Sequence, residues 1–154
     1  MKFKIIVVAG IIGLMVSCGT DVKKEDAPIT APEEIKEEVV VDPLQNKGVG
    51  PISNITLGKI DQAKATQGEI IFNEKCAACH KVDNRFIGPA LAGVTERRTP
   101  EWIMNIILNP EKMLAEDPIA KELYAEYLSP KPNQDVTEAE ARFLLEYFRT
   151  LKVQ

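Results

Sequence analysis

The chain has 154 residues, with 23 acidic and 19 basic side chains, a formal net charge of -4 and 45% hydrophobic residues. That length holds one compact domain with extensions, and the acidic balance argues against nucleic acid, which rewards a basic surface. Three cysteines and a single histidine would all be needed to close one four-ligand zinc site, and they leave no second histidine for a catalytic histidine network.

Lys2 and Lys4 give a positive start, followed by an apolar run from Ile5 to Val16. The run is too short for a membrane-spanning helix, which needs about 20 residues, and fits the hydrophobic region of a signal peptide. It ends in Leu14-Met15-Val16-Ser17-Cys18. A small residue directly before this cysteine resembles the lipobox of bacterial lipoproteins. The resemblance implies a signal peptide at 1–17 and lipidation of Cys18. Loss of Lys2 and Lys4 leaves 17 basic against 23 acidic residues, a mature net charge of -6. Several acyl chains on one cysteine hold a membrane far more firmly than one, so the mature protein is expected on the periplasmic or outer side, anchored but not spanning.

Residues 18–65 read as an acidic tether. From Asp21 to Pro43 there are eight acids, three lysines and three prolines, and no aromatic residue. Such a segment buries too little apolar surface to offset its ordering entropy, and like charges keep it extended. Glu33 to Val41 can form a short helix. Residues 44–65 are weakly patterned and can lie along the surface of the domain that follows, expected over 66–154.

Thr66-Gln67-Gly68-Glu69 has the form of a capping box, with Thr66 at the N-cap. The helix it opens carries Ile70, Ile71, Phe72 and Lys75 and runs into Cys76-Ala77-Ala78-Cys79-His80, a C-x-x-C-H haem attachment pattern. Two thiols at this spacing reach the two vinyl groups of one haem edge, and the next residue brings an imidazole under the iron. A zinc knuckle would need a further ligand, and no Cys or His follows His80. A redox dithiol would need a preceding strand.

Further helices follow. Thr99-Pro100 offers an N-cap and an N1 proline ahead of Trp102. Asn109-Pro110 closes that helix and opens a stretch holding Met113. Asp117-Pro118 repeats the start signal before Ile119, Leu123, Tyr124 and Tyr127. Pro130 and Pro132 force an extended loop. Thr137 to Glu140 is a second capping box, and Ala141, Leu144, Leu145, Phe148 and Leu151 form a helical apolar stripe. Phe72, Trp102, Phe143, Tyr147 and Phe148 are expected core residues, some against the cofactor.

Residues 66–152 resemble the class I c-type cytochromes. The resemblance rests on Cys76-Ala77-Ala78-Cys79-His80, on Gly68 and Phe72 in the first helix, on Gly88-Pro89-Ala90-Leu91, and on the aromatic last helix. It implies an all-α domain wrapped around one covalently bound haem c and preceded by a disordered tether. It also implies that His80 is the proximal iron ligand and that the Pro89 carbonyl accepts a hydrogen bond from it, orienting the imidazole and raising its basicity. Gly68 would let the first and last helices cross closely, against Tyr147. Pro89, Leu91 and Trp102 are expected at the cofactor, with the Trp102 indole N–H donating to a propionate.

The family usually takes its sixth iron ligand from a methionine in the loop before the last helix. Here that loop reads Ser129-Pro130-Lys131-Pro132-Asn133-Gln134, so this sequence departs from the pattern. Met104 is expected in the core. Met113 and Lys131 are the ligand candidates, and an open or water-bound iron is the third possibility. Methionine raises the potential of a c-type haem, an amine would lower it, and an open site would admit gases or peroxide.

The expected function is that of an electron carrier, not an enzyme. Partners would be redox proteins: a respiratory complex, with a terminal oxidase or nitrogen-oxide reductase as acceptor. The competing readings are a haem-based gas sensor or peroxidase-like protein with an open sixth site, and a structural lipoprotein with a plain disulfide.

Overall fold

A computed structural model describes residues 41–153, in which there are six helices and no strand. The expected signal peptide, Cys18 and the tether up to residue 40 lie outside the described residues. The helices are α1 (Gln62–Lys75), α2 (Val94–Arg97), α3 (Pro100–Leu108), α4 (Pro110–Glu116), α5 (Pro118–Tyr127) and α6 (Glu138–Thr150).

Helix α1 starts upstream of the expected Thr66 cap. Asp61 is the N-cap, its carboxylate accepting from Lys64 N at 3.1 Å, and Thr66 lies inside the helix with its hydroxyl donating to the Gln62 carbonyl. Residues 62–65 are good helix formers, and Ala65 is buried, so packing extends the helix through the second-best cap. The other start signals hold. Thr99 caps α3, Asp117 caps α5, and Thr137 with Glu140 forms the capping box of α6, each helix of the proline-started trio carrying its proline in the first turn. Single-turn α2 had no periodic signal to announce it.

Helices α1 and α6 form the most extensive helix pair. Gly68 is where they meet: a Cβ there would run into the Phe143 carbonyl and come within 2.9 Å of Tyr147 Cβ. Phe72 packs in the crossing, with ring centroids 5.5 Å from Tyr147 and 6.3 Å from Phe148, edge-on to the latter. Leu144, Leu145, Ala141, Ile103 and Met104 continue the core.

The segment before α1 is part of this domain, which moves the expected boundary at residue 65 toward the N-terminus. Residues 46–61 strap across α3, α4 and α6. The fully buried Asn105 side chain accepts from Ile52 N and donates to the carbonyls of Ile52 and Lys47. Further on, Ile55 N donates to Glu101, and Asp61 N to the buried Glu146, which also pairs with Arg142 and Arg149 at 2.7 Å each. Ile52 joins the hydrophobic core. Nothing in the strap's polar, unperiodic sequence announces this, because its backbone is paired by side chains from distant helices.

Asn105→Ala would leave three strap backbone groups without partners, each costing about 1–3 kcal/mol if it stays buried. Peeling of the strap into water relieves part of that. We expect a net loss of about 2–4 kcal/mol in denaturant unfolding and new proteolytic cuts between residues 47 and 56. An unchanged midpoint with an intact strap would contradict this role.

Candidate functional site

The site is built where α1 ends. Cys76 is the C-cap of α1, its N–H donating to the Phe72 carbonyl. The Cys76 carbonyl then accepts from both Cys79 N (3.0 Å) and His80 N (2.9 Å). That turn folds the motif into one corner. A second set of backbone bonds ties the following loop to it: Gly88 N to the Cys79 carbonyl at 2.9 Å, and Leu91 N and Ala92 N to the Val82 carbonyl.

These bonds bring Pro89 beside His80. His80 Nδ1 lies 3.0 Å from the Pro89 carbonyl oxygen. A carbonyl can accept but not donate, so Nδ1 carries the proton and Nε2 keeps its lone pair. Burial pushes the imidazole's pKa below its ordinary value; the Pro89 carbonyl opposes this and the Lys131 charge adds to it. His80 is thus a neutral ring with a fixed tautomer, the form that binds a metal. Gly88 supports it from behind: a Cβ there would stand 2.5 Å from His80 Cε1 and 2.9 Å from Nδ1.

Cys76, Cys79 and His80 all line one cavity of about 670 Å³, within the ~300–1,000 Å³ of sites that take cofactor-sized molecules. Leu91, Ile103, Ile107, Leu123 and Phe148 give it apolar walls. Both thiols are free, so no disulfide joins them, contrary to the plain structural reading. Burial raises the Cys76 pKa, with Lys131 and Lys75 pulling it back. Among the described residues no three His, Cys, Asp or Glu side chains converge to hold a bare metal ion. The set therefore suits a large apolar group fixed by two thiols and ligated by one imidazole.

The other expected site residues divide. Pro89, Leu91 and Trp102 line the cavity. The indole N–H of Trp102, however, donates to buried Asp117 at 3.0 Å, which corrects the expectation that it would donate to a propionate. The same carboxylate caps α5 through Ala120 N and accepts from Asn46 of the strap. Sequence reading took Asp117 for a helix start and missed this second role; a short acid before proline carries no mark of what else it holds. Arg97 and Arg98 also stand at the cavity wall, with no motif in the sequence to mark them.

Met113 is set aside as a ligand candidate. It is fully buried, and its sulfur accepts the Val49 N–H at 2.9 Å. Helix α4 turns Pro110 and Leu114 to the cavity and Met113 to the strap, and Met104 does not line the cavity either. Lys131 does.

The comparisons agree with this geometry. The family model described as Cytochrome c matches residues 65–152. Cytochrome c-551 of Stutzerimonas stutzeri is 34% identical over 96 residues, covering 58% of this chain and 82% of that protein. The solved structure of a cytochrome c from Rhodothermus marinus is 48% identical, with a TM-score of 0.65 over 66% of this chain and 89% of the other. An engineered form of that Rhodothermus protein, solved with a carbene intermediate bound, is also 48% identical, with a TM-score of 0.62 over 66% of this chain and 89% of its own. This chain belongs to the cytochrome c family as a class I c-type cytochrome, whose cofactor is a covalently attached haem c.

Proposed function

We propose that the protein is a lipid-anchored carrier of single electrons between redox proteins outside the cytoplasmic membrane. In this reading Cys76 and Cys79 hold the haem by thioether bonds and His80 Nε2 is the proximal ligand. The observation that carries it is the His80 ring, neutral and fixed by Pro89 and Gly88, on the wall that both thiols share. The bound haem supplies one-electron chemistry, its iron cycling between ferrous and ferric states.

The chain's own residues hold that cycle in place. Pro89 keeps the imidazole from turning and makes it a stronger donor. The apolar walls keep water from the ring. Arg97, held by the carbonyls of Ala90 and Ala92, and Arg98 line the cavity and would place positive charge near the haem carboxylates. Phe86, Ile87, Tyr124 and Leu128 are exposed large hydrophobic residues, and Ile87 and Tyr124 also line the cavity, so its rim suits brief apolar contact with a partner. The acidic balance of the chain suits basic docking patches and salt-sensitive on-rates. A respiratory complex as donor and a terminal oxidase or nitrogen-oxide reductase as acceptor fit this chemistry. Among the described residues no helix is long and apolar enough to cross a membrane; the anchor in this reading is Cys18.

A redox titration of the matured protein is expected to give one reversible one-electron wave. Cys18→Ser is expected to move the protein from the membrane fraction to the soluble one with the haem retained. A protein with no redox wave, or one whose fractionation ignores Cys18, would contradict the carrier and the anchor respectively.

Gly88→Ala is expected to push the His80 ring off its support and weaken the bond to Pro89. Loss of about 0.5–1.5 kcal/mol of ferric stabilisation corresponds to a rise of roughly 20–60 mV in midpoint potential, at ~59 mV per tenfold for one electron. An unchanged potential at full haem content would show that Gly88 does not position the ring.

A further inference from the structure

We propose that the Lys131 amine is the sixth ligand of the haem iron. The inference rests on haem attachment at Cys76 and Cys79 and on His80 as proximal ligand, and adds the donor of the other face.

With Nδ1 committed to Pro89, His80 would offer the iron Nε2 alone, and any further protein donor would have to come from another residue at the cavity wall. No methionine lines the cavity among the described residues. Other donors at the wall are engaged or exposed. Lys75 sits 3.5 Å from Glu140 and points to the carbonyls of Gln134 and Asp135. The Tyr127 ring carries the Arg85 guanidinium on its face, 4.0 Å from the centroid, and burial raises its phenol pKa further from ionisation. Tyr124 and Asp83 are exposed.

Lys131 differs from all of these. It is half-buried in the cavity wall and has no carboxylate or carbonyl partner among the described residues. It lies near enough to Cys76, Cys79 and His80 to bear on their charges. A charged ammonium there has no carboxylate near enough to pair with it among the described residues. Such a group is costly unless it becomes neutral or finds a partner. Its backbone is held in advance. Pro130 and Pro132 bracket it and fix their own φ angles. The loop turns at Leu128 (φ 51) and Asp135 (φ 48), and Asn133 accepts from Asp135 N. Lys75 reaches across from α1 to the loop's carbonyls. An amine without a partner, on a fixed loop and lining the cavity that Cys76, Cys79 and His80 share, would find its partner in the iron.

A nitrogen donor in place of sulfur favours the ferric state, so the carrier would work at a lower potential than a methionine-ligated one. It would also close the iron to small gases and peroxide, the requirement that separates a carrier from a sensor.

The test uses the matured holoprotein with Lys131→Ala and Lys131→Met, haem content being measured by pyridine haemochrome throughout. The wild type is expected to be low-spin in the ferric state, without the weak far-red sulfur-to-iron band, and slow to bind carbon monoxide when reduced. Lys131→Ala should turn high-spin and take up carbon monoxide at least about tenfold faster, since exchange no longer waits on loss of a ligand. Lys131→Met should stay low-spin, gain the far-red band and rise in potential, which reports that the position reaches the iron even if the alanine variant folds poorly. A high-spin wild type, a far-red band in the wild type, or a Lys131→Ala protein with the wild-type ferric spectrum would overturn the assignment. In each of those cases haem content is full; a wild type without haem would instead remove the function proposed above and this ligand with it.

Discussion

The bond between the Pro89 carbonyl and His80 Nδ1, 3.0 Å long, decides which nitrogen of the chain's single histidine is available. It does so because a carbonyl has no proton to give. The rest of the site serves that bond. The turn at Cys76 sets His80 at the corner, the Gly88–Cys79 and Leu91–Val82 backbone bonds carry Pro89 to it, and the missing side chain of Gly88 leaves room for the ring. A small domain with one imidazole cannot compensate for a misplaced one.

The packing beyond the site works to the same end. The α1–α6 crossing at Gly68 brings Phe72 and Phe148 together, and Phe148 reaches the cavity wall. Trp102 is fixed there by Asp117, which also starts α5 and holds the strap through Asn46. One buried carboxylate thus ties three elements around the pocket. The two electrostatic hubs, Asp117 and Glu146, bind the strap to different stretches of the domain, so the segment before α1 is part of the walls' support.

How much of this the sequence discloses depends on whether an interaction is local. The attachment motif, the prolines that open α3, α4 and α5, and the capping box of α6 are short-range patterns, and all stand in the structure; the Pro89 contact with His80, implied only by the family resemblance, stands too. The close helix crossing at Gly68 followed from family resemblance. Long-range side-chain pairing was not legible. Asn105 gave no sign that it would hold residues 47–52, and nothing in the sequence marked Asp117 as the acceptor of the Trp102 N–H. Met113 illustrates the same limit: its place near prolines suggested access to the iron, yet the turn of α4 points it at Val49. Thr66 failed as a cap because a competing cap upstream allowed more of the helix to pack.

The most direct measurement is the intact mass of matured protein after denaturation. The account predicts the polypeptide plus one haem, a mass that survives organic extraction and disappears when Cys76 and Cys79 are both replaced by alanine. A polypeptide mass without the increment, or a haem that extraction removes, would contradict it.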